Sequence, residues 1–409
     1  MTTLVLDQQD SRLQAMTMFS SAVGFYFAFR LVAVVLAVRL FETDPQFGVV
    51  ASLGLNYLLL VIAVFLTFGP GTRTLSWFSS IPSFRWCLAF LGFSGCSLLW
   101  TVSASWSAAA AFWCAMASDF TVVILLLRIG SIDETAEALM SGFVWGTCVV
   151  ALIAWILPTQ SDLRLGDEDY LGPNQIGYAC AFAFFFAQYL MRRAARGLRI
   201  PEVFLAITLL RSLSKTTLIA FVAGQLLLLI RDQSVSRKAK LLMSAAAVVL
   251  IAAFWGLISA YYDVYTHAGN QSETLTGRIG IWAFILSEAL QRPWIGHGFH
   301  SVWKVIPPFG EFEARHAHNE LLQQFYAYGT VGVALVVILY GSVYKEIRRV
   351  PVQSIKTLLF ALLLFVLIRG LADTEVFDLS LPLWSTVLIG SVIAAGSTSR
   401  HGALPAITP

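Results

Sequence analysis

The sequence predicts an all-helical, polytopic integral membrane protein with about 12 transmembrane helices. Of its 409 residues, 57% are hydrophobic and only 12% are charged, whereas a soluble domain carries roughly 25% charged residues. Many apolar runs are about 20 residues long, the length with which a helix crosses a hydrocarbon layer. These runs are continuous rather than alternating, so they favour helices over a closed barrel, the only other structure that spans a bilayer.

We interpret residues 1–409 as a single membrane domain without a separate soluble part. The segment 200–230 is long for one crossing and short for two, and the polar break at Arg211–Lys215 favours two short or re-entrant helices. The first apolar run is too long for a signal peptide, so we expect a retained span. The predicted spans lie near residues 20–42, 48–68, 84–103, 106–127, 138–158, 174–191, 200–212, 214–230, 239–259, 321–344, 355–371 and 380–397.

The charges between the spans alternate along the chain. The even-numbered connections carry Lys and Arg, and the odd-numbered ones are acidic or neutral, except for the short Arg211–Lys215 turn. Cytoplasmic loops are the ones enriched in Lys and Arg, so both termini are predicted to be cytoplasmic. The same rule places the Asp162–Asn174 loop and a long loop, residues 260–320, together on the external, periplasmic face.

The long loop holds most of the chain's histidines and a predicted helix. A membrane protein that collects titratable groups in one loop is expected to carry its chemistry there. The helix is about 15 residues long, with Thr276 as a suitable N-cap and Pro293–Gly298 ending the segment. We predict that its apolar stripe, Ile279, Trp282, Leu286 and Leu290, lies along the membrane surface. Five of the six histidines are in this loop: His267, His297, His300, His316 and His318.

Two arginines and one histidine form the candidate site. Arg278 lies at the predicted start of the loop helix, where a positive side chain is unfavourable unless an anion binds there. Arg164 lies in the other external loop, and two arginines can hold a diphosphate bidentately without a metal. Histidine titrates near neutrality, so His318, which directly precedes the tenth span, could take a proton from a sugar hydroxyl.

Each of these residues also has a simpler interpretation. Arg278 could bind the phosphate of a lipid headgroup, and His318 could be an ordinary interfacial residue. Arg164 could pair with one of the aspartates of its own loop, which are Asp162, Asp167 and Asp169.

Three residues near the start of the tenth span are possible metal ligands. His316, His318 and Glu320 could bind a metal, but a spacing of two residues at a helix start turns the side chains apart. We therefore expect neither a metal nor a cofactor, and the five cysteines, all in or beside apolar runs, imply no disulfide framework.

Arg30 and Asp119 lie within predicted spans, and we expect them to pair with each other or with polar neighbours in a structural role.

A set of short motifs surrounds the candidate residues in a fixed order. The motifs are Gly172-Pro173-Asn174, Ser214-Lys215-Thr216, Thr276-Gly277-Arg278, Trp282, Pro293-Trp294-Ile295-Gly296-His297-Gly298, His318-Asn319-Glu320-Leu321 and Gly329-Thr330-Val331-Gly332. The set resembles the O-antigen ligase / O-antigen polymerase superfamily of bacterial envelope glycosyltransferases, and the resemblance covers roughly residues 160–335.

The resemblance implies a fold, a reaction and a set of partners. The fold is all-helical, and the enzyme is a metal-independent inverting glycosyltransferase that moves a glycan from an undecaprenyl-diphosphate carrier to an acceptor hydroxyl outside the inner membrane. Arg164 and Arg278 would hold the diphosphate and His318 would activate the acceptor. Further phosphate-binding candidates are Arg211, Lys215 and Arg315, and supporting residues are Asn319 and Glu320.

Several functions share these features. The absence of a large extra soluble domain and the Ser214-Lys215-Thr216 stretch favour an exopolysaccharide or O-antigen polymerase over a ligase that transfers glycan to lipid A–core. A protein oligosaccharyltransferase would use the same donor chemistry. A transporter or lipid-glycan flippase is the alternative from another class, but the long loop divides the chain unequally and no internal repeat is visible. We expect a glycan acceptor, the bilayer and envelope polysaccharide assembly proteins as partners, and no nucleic acid.

Overall fold

The computed structural model describes residues 2–67, 73–158, 160, 164–167, 169–193, 197–231, 236–253, 255–256, 259, 275–303, 316–374 and 380–401. Within these ranges every element longer than an isolated bridge is helical, which confirms the predicted all-helical class. The helices are α1 Thr2–Phe29, α2 Ala33–Arg39, α3 Pro45–Thr67, α4 Leu75–Ser79, α5 Pro82–Cys96, α6 Trp106–Ile129, α7 Ile132–Ile156, α8 Pro173–Arg193, α9 Arg199–Ser212, α10 Lys215–Arg231, α11 Arg237–Ala253, α12 Leu275–Ala289, α13 Glu320–Arg348, α14 Gln353–Gly370 and α15 Ser380–His401.

Several of these helices can cross a membrane, so the protein is a polytopic helical membrane protein. Among the described residues six segments are long and apolar enough. Helices α5, α9, α10 and α11 coincide with further predicted spans but have only 14 to 17 residues. The count of 12 therefore stays a prediction. The six segments are Gln14–Arg39, Pro45–Thr67, Trp106–Ile129, Ile132–Ile156, Glu320–Arg348 and Gln353–Gly370.

The predicted break between residues 200 and 230 is confirmed. Helix α9 ends at Ser212, Leu213 adopts a left-handed φ of 56°, and α10 begins at Lys215. The carbonyl of Ser214 accepts a hydrogen bond from the amide of Leu218, so a new helix begins directly after Ser214. Helix α9 packs on α8, whereas α10 packs chiefly on α14.

The two charged residues predicted inside spans pair with each other. Arg30 donates to a carboxylate oxygen of Asp119 at 2.6 Å. Ser380 joins them, because its hydroxyl donates to the same carboxylate oxygen at 2.7 Å. A buried carboxylate in this position needs such partners, so the expected pairing is confirmed.

The connections between helices collect at two ends of the bundle. The polar contacts given below each join two odd-numbered connections or two even-numbered connections. The alternation of charge along the chain predicts this, because it places odd and even connections at opposite ends of the bundle. We call the first set the site end; its contacts include Arg39–Asp167, Thr101–Phe299, Arg164–Ser212 and Asn319–Leu371. We call the second set the basic end; its contacts include Arg73–Gly130, Ser83–Glu346, Arg192–Ser354 and Arg193–Asp133.

Helix α13 is broken at Gly329, close to the site end. Gly329 has φ 63° and ψ −161°, which are not helical. The segment 293–298 fills the break: the amides of His297 and Gly298 donate to the carbonyls of Tyr326 and Ala327 at 2.9 and 2.7 Å. On the other side, the amides of Thr330 and Val331 donate to the carbonyls of Pro293 and Trp294 at 2.7 and 3.2 Å. Every backbone group named here is thereby satisfied, as a break near membrane depth requires.

The close approach explains two glycines of the sequence motifs. A Cβ atom at Gly329 would lie 2.3 Å from the carbonyl carbon of Trp294, and one at Gly296 would lie 2.5 Å from that of Ala327. Both glycines also have φ of 63°, a conformation that L side chains disfavour. The two glycine-containing motifs therefore pack directly against each other, and this contact holds the N-terminal part of α13 in place.

Candidate active site

Helix α12, which carries Arg278, forms as predicted, and the position of its apolar stripe along the membrane surface stays a prediction. It runs from Leu275 to Ala289, so Thr276 lies inside the helix and its assignment as the N-cap is wrong. Ile281, Ile285 and Ala289 are buried in a small cluster with residues of α13, whereas Ile279, Leu286 and Leu290 of the predicted stripe are 54%, 42% and 60% exposed. Both faces of this helix are apolar, so periodicity alone could not select the one that packs.

Trp282 connects α12 to the segment before α13. Its indole N–H donates to the carbonyl of Ala317 at 3.0 Å, and the amide of Ala317 donates to the side chain of Gln323 at 2.9 Å. The segment 316–319, which carries His318, is therefore held from both sides by helices.

Arg278 links two different connections at the site end. One guanidinium nitrogen donates to the hydroxyl of Thr216 at 3.1 Å and to the backbone carbonyl of Ala372. The Nε of Arg278 is buried and has no hydrogen-bond partner in the part of the chain that the structure describes. The side chain therefore bridges the α9–α10 turn and the end of α14, with donor capacity left over.

Arg164 reaches the same turn from another side. Its Nε donates to the carbonyl of Ser212 at 3.4 Å, and a terminal nitrogen donates to the side-chain oxygen of Asn174, in the first turn of α8, at 3.1 Å. The side chain is only 1% exposed. Arg164 and Arg278 thus both contact the α9–α10 turn, residues 211–217.

The aspartates of the Arg164 loop have a different partner. Arg39 binds Asp167 at 2.7 Å and Asp169 at 3.2 Å. Asp162 lies outside the described residues. The alternative in which Arg164 pairs with Asp167 or Asp169 is therefore not favoured, since both carboxylates bind Arg39.

Arg211, Lys215 and Arg315 are the further candidates for phosphate binding, and the structure describes two of them. Arg211 lies in the last turn of α9 and Lys215 is the first residue of α10, so both belong to the α9–α10 turn. Together with Arg164 and Arg278 they bring four positive side chains to this turn. Arg315 lies outside the described residues.

His318 is buried and faces a carboxylate. Its Nδ1 lies 3.5 Å from Oδ1 of Asp373, which is a contact rather than a well-formed hydrogen bond. The other oxygen of Asp373 accepts a hydrogen bond from Arg369 at 3.1 Å. Burial opposes the charged form of Asp373, but the guanidinium of Arg369 and the contact with His318 hold its pKa well below its usual range. An ionised carboxylate beside Nδ1 favours the tautomer that leaves Nε2 free to accept a proton.

The two supporting residues fasten the start of α13 to the end of α14. Asn319 caps α13, because its side-chain oxygen accepts from the amide of Leu322 at 3.0 Å, and its side-chain nitrogen donates to the carbonyl of Leu371 at 2.8 Å. Glu320 accepts from the hydroxyl of Thr374 and from the side chain of Gln324. The position of His318 relative to Asp373 is thereby set on both sides.

His316 lies beside His318, contrary to expectation. The two ring centroids are 4.0 Å apart, and donor atoms of His316, His318 and Asp373 all lie within 4.8 Å of one another. The expected divergence of the side chains is wrong because this segment is not helical; His318 has φ 49°. Burial lowers the pKa of His316 to about 3, with further lowering by His318 and by the positive Arg369 and Arg278. Two guanidinium groups facing the cluster disfavour another cation there, and we assign no metal to it.

His297 and His300 stabilise the loop that contacts the α13 break. The ring of His297 stacks on Tyr326 at 4.3 Å, and burial lowers its pKa. His300 packs between Phe112 and Trp303, and burial lowers its pKa to about 4. Both are packing residues, as expected for ordinary loop histidines. His267 lies outside the described residues.

Two charged residues of this site, Arg369 and Asp373, are not among the candidates that the sequence motifs indicate. The charge pattern places Asp373 only in an acidic connection, and Arg369 lies within the predicted eleventh span, residues 355–371. A signal was present: an arginine and an aspartate four residues apart at the end of an apolar run can pair on one helical face.

Parts of this chain are similar to known proteins. Residues 202–337 match the family model described as O-Antigen ligase. The matched segment is about a third of the chain, and over that segment the chain is similar to the O-antigen ligase/polymerase-like family. It is also 24% identical, over 297 residues, to "Exopolysaccharide production protein ExoQ" of Rhizobium meliloti (strain 1021). That alignment covers 65% of this chain and 66% of ExoQ, just under two thirds of the relative's length.

The match to the O-antigen ligase/polymerase-like family confirms the resemblance inferred from the motifs. The matched segment contains Arg211, Lys215, Arg278 and His318, together with the α13 break. Arg164, Arg369 and Asp373 lie outside it. The candidate site therefore combines residues of the matched segment with residues that precede and follow it in the chain.

Proposed function

We propose that this protein is a membrane glycosyltransferase that polymerises glycan units. It would take them from an undecaprenyl-diphosphate-linked donor and join them to a hydroxyl of a sugar acceptor. The position of Arg278 carries this proposal, because the side chain binds Thr216 in the basic α9–α10 turn and the carbonyl of Ala372, the residue before Asp373. A diphosphate held at the turn would then lie next to the histidine that activates the acceptor.

The basic side chains around the α9–α10 turn bind the leaving group. Arg278 and Arg164 hold the diphosphate, with Arg211, Lys215 and Arg315 as further ligands. Negative charge grows on the diphosphate as its bond to the sugar breaks, so donors that tighten at that stage lower the barrier. The buried, unpartnered Nε of Arg278 supports this role, since it is a donor without an acceptor in the described part of the chain.

His318 acts as the general base. The acceptor oxygen bonds to the anomeric carbon while its proton passes to Nε2 of His318, and Asp373 stabilises the imidazolium at Nδ1. The bond between the anomeric carbon and the diphosphate oxygen breaks, and the diphosphate leaves with the electron pair. In-line attack inverts the anomeric configuration, and no metal takes part.

The proposed function also requires a particular transmembrane topology. The chain crosses the bacterial inner membrane 12 times as a single membrane domain, with both termini in the cytoplasm. The site end, including the loop 260–320, then faces the periplasm. This agrees with the basic residues at the other end of the bundle, such as Arg73, Arg192 and Arg193.

Two related functions, polymerase and ligase, differ in the acceptor of the glycan. The relative ExoQ is named for exopolysaccharide production, which favours a polymerase that joins repeat units of a secreted polysaccharide. The family model is described as O-Antigen ligase, which favours transfer of O-antigen to lipid A–core as the second candidate.

A deletion strain separates these functions. We expect loss of high-molecular-weight secreted polysaccharide together with accumulation of single lipid-linked repeat units. Loss of O-antigen-bearing lipopolysaccharide with normal polymer length would instead identify a ligase. Lipid-linked units that remain on the cytoplasmic face would identify a flippase and refute the glycosyltransferase. Restoration by a plasmid copy of the wild-type chain is the control.

A further inference from the structure

Arg369 is a buried charged residue that has no role in the reaction proposed above. It lies at the end of α14 and is only 5% exposed. Its Nε has no hydrogen-bond partner within the described part of the chain. Burying an arginine is costly unless its partners compensate. The partners of this one therefore indicate what it does.

Two contacts fix the guanidinium of Arg369. A terminal nitrogen donates to Oδ2 of Asp373 at 3.1 Å, and the central carbon lies 3.7 Å from the ring centroid of Tyr178 on α8. The stacked ring restricts the plane of the guanidinium. One oxygen of Asp373 therefore binds the guanidinium of Arg369, and Tyr178 on α8 sets the orientation of that guanidinium.

The other oxygen of Asp373 faces His318. Oδ1 accepts from the amide of Thr374 at 3.0 Å and lies 3.5 Å from Nδ1 of His318. The carboxylate cannot rotate toward solvent without losing both Arg369 and the Thr374 amide. The order of contacts is thus Tyr178, Arg369, Asp373 and His318.

We propose that Arg369 is a positioning residue for His318, which it orients through Asp373. This inference rests on the proposed function, in which His318 is the general base. Without Arg369 the carboxylate would lose its fixed direction, and the imidazole would spend less time in the tautomer and orientation needed to accept a proton. Arg369 itself does not touch the donor or the acceptor.

Two other roles for Arg369 give different measurable outcomes. If Arg369 bound the diphosphate directly, its loss would weaken donor binding, as expected for Arg278. If it served only to attach α14 to α8 through Tyr178, its loss would lower stability but would not depend on Asp373.

The test is a double-mutant cycle in purified, reconstituted protein. The substrate is the lipid-linked oligosaccharide extracted from the deletion strain, and the variants are R369M, R369K, D373N and R369M/D373N. We expect R369M to lower kcat about 10-fold with the donor KM changed less than about 2-fold. R369K, which keeps a cation near the carboxylate, should recover most of the rate. The double variant should be no slower than D373N, since Arg369 acts through Asp373.

Three results would overturn the inference. They are a raised donor KM with kcat retained in R369M, a double variant slowed by the product of the two single effects, or R369M and R369K equally slow. Thermal unfolding of each variant identifies losses that come from stability. If R369M does not accumulate in membranes, R369Q replaces it with the same expectations. Failure of the proposed function is seen separately, as wild-type protein without transfer or His318→Ala with full transfer.

Discussion

Nδ1 of His318 lies 3.5 Å from Oδ1 of Asp373, although the two residues come from different connections of the chain. His318 precedes Asn319, the N-cap of α13, and Asp373 follows α14. The two connections are tied together by Asn319, which caps α13 and also binds the carbonyl of Leu371. This arrangement gives the histidine a defined orientation before any substrate binds.

Asp373→Asn should slow the reaction without weakening donor binding. The amide cannot stabilise the imidazolium and permits the wrong tautomer of His318. We expect kcat to fall by about 100-fold, at the low end of what general-base catalysis contributes, with a nearly unchanged donor KM. Steady-state kinetics in proteoliposomes measure both. An Asp373→Asn enzyme with wild-type kcat would remove Asp373 from the mechanism.

Gly329→Ala should destabilise the protein strongly. The added Cβ would lie 2.3 Å from the carbonyl carbon of Trp294, and the backbone has φ 63°. The conformational strain alone costs about 1–3 kcal/mol, and the clash would separate Gly329 from the segment 293–298. Thermal unfolding in detergent should show a lower Tm and less folded protein.

Gly341→Ala is the matched control in the same helix. No atom lies within 4 Å of a Cβ added at this position, and Gly341 is within the regular part of α13. We expect an unchanged or slightly higher Tm, because alanine favours helix more than glycine does. Equal effects of the two substitutions would disprove the special role of Gly329.

Stability should decrease as pH falls below about 6.5, in part because of His300. Burial lowers the pKa of His300 from 6.5 to about 4. The unfolded chain therefore binds a proton more readily than the folded one between these values, and stability is complete above pH 6.5 and is lost toward pH 4. His300→Phe, which keeps an aromatic ring between Phe112 and Trp303, should flatten the dependence of Tm on pH in this window. An unchanged slope would show that His300 is not responsible.

Chelation should leave the activity intact. The cluster of His316, His318 and Asp373 brings three donor atoms within 4.8 Å, but Arg369 occupies one oxygen of Asp373. We expect the same transfer rate before and after dialysis against EDTA. A rate that falls on dialysis and returns with added Zn²⁺ or Mg²⁺ would mean that the reaction needs a metal.

Local patterns predicted the helices well and the contacts between them less well. Hydropathy and charge are properties of single segments, so the polar break before Lys215 and the 15-residue length of α12 were readable from the sequence. The face that α12 packs against α13 was not, because apolar side chains lie on both sides of α12. The motifs around Gly296 and Gly329 were visible, but not that they fit into each other.

The candidate site shows the same limit. Arg278 and His318 were identified from residue type and position, yet their partners Thr216, Ala372 and Asp373 come from other connections. The expected divergence of His316 and His318 assumed helical geometry, which the left-handed φ of His318 removes. Contacts between distant segments depend on packing, which no short pattern encodes.

The most direct measurement is polymer formation in a deletion strain that carries Arg278→Ala, with His318→Ala and Arg292→Ala beside it. Arg292 is an exposed arginine just beyond α12 and serves as the control for loss of a positive charge. We predict that Arg278→Ala and His318→Ala reach the membrane in normal amounts and form no high-molecular-weight glycan, whereas Arg292→Ala behaves as wild type. Wild-type polymer from Arg278→Ala or His318→Ala would contradict the account.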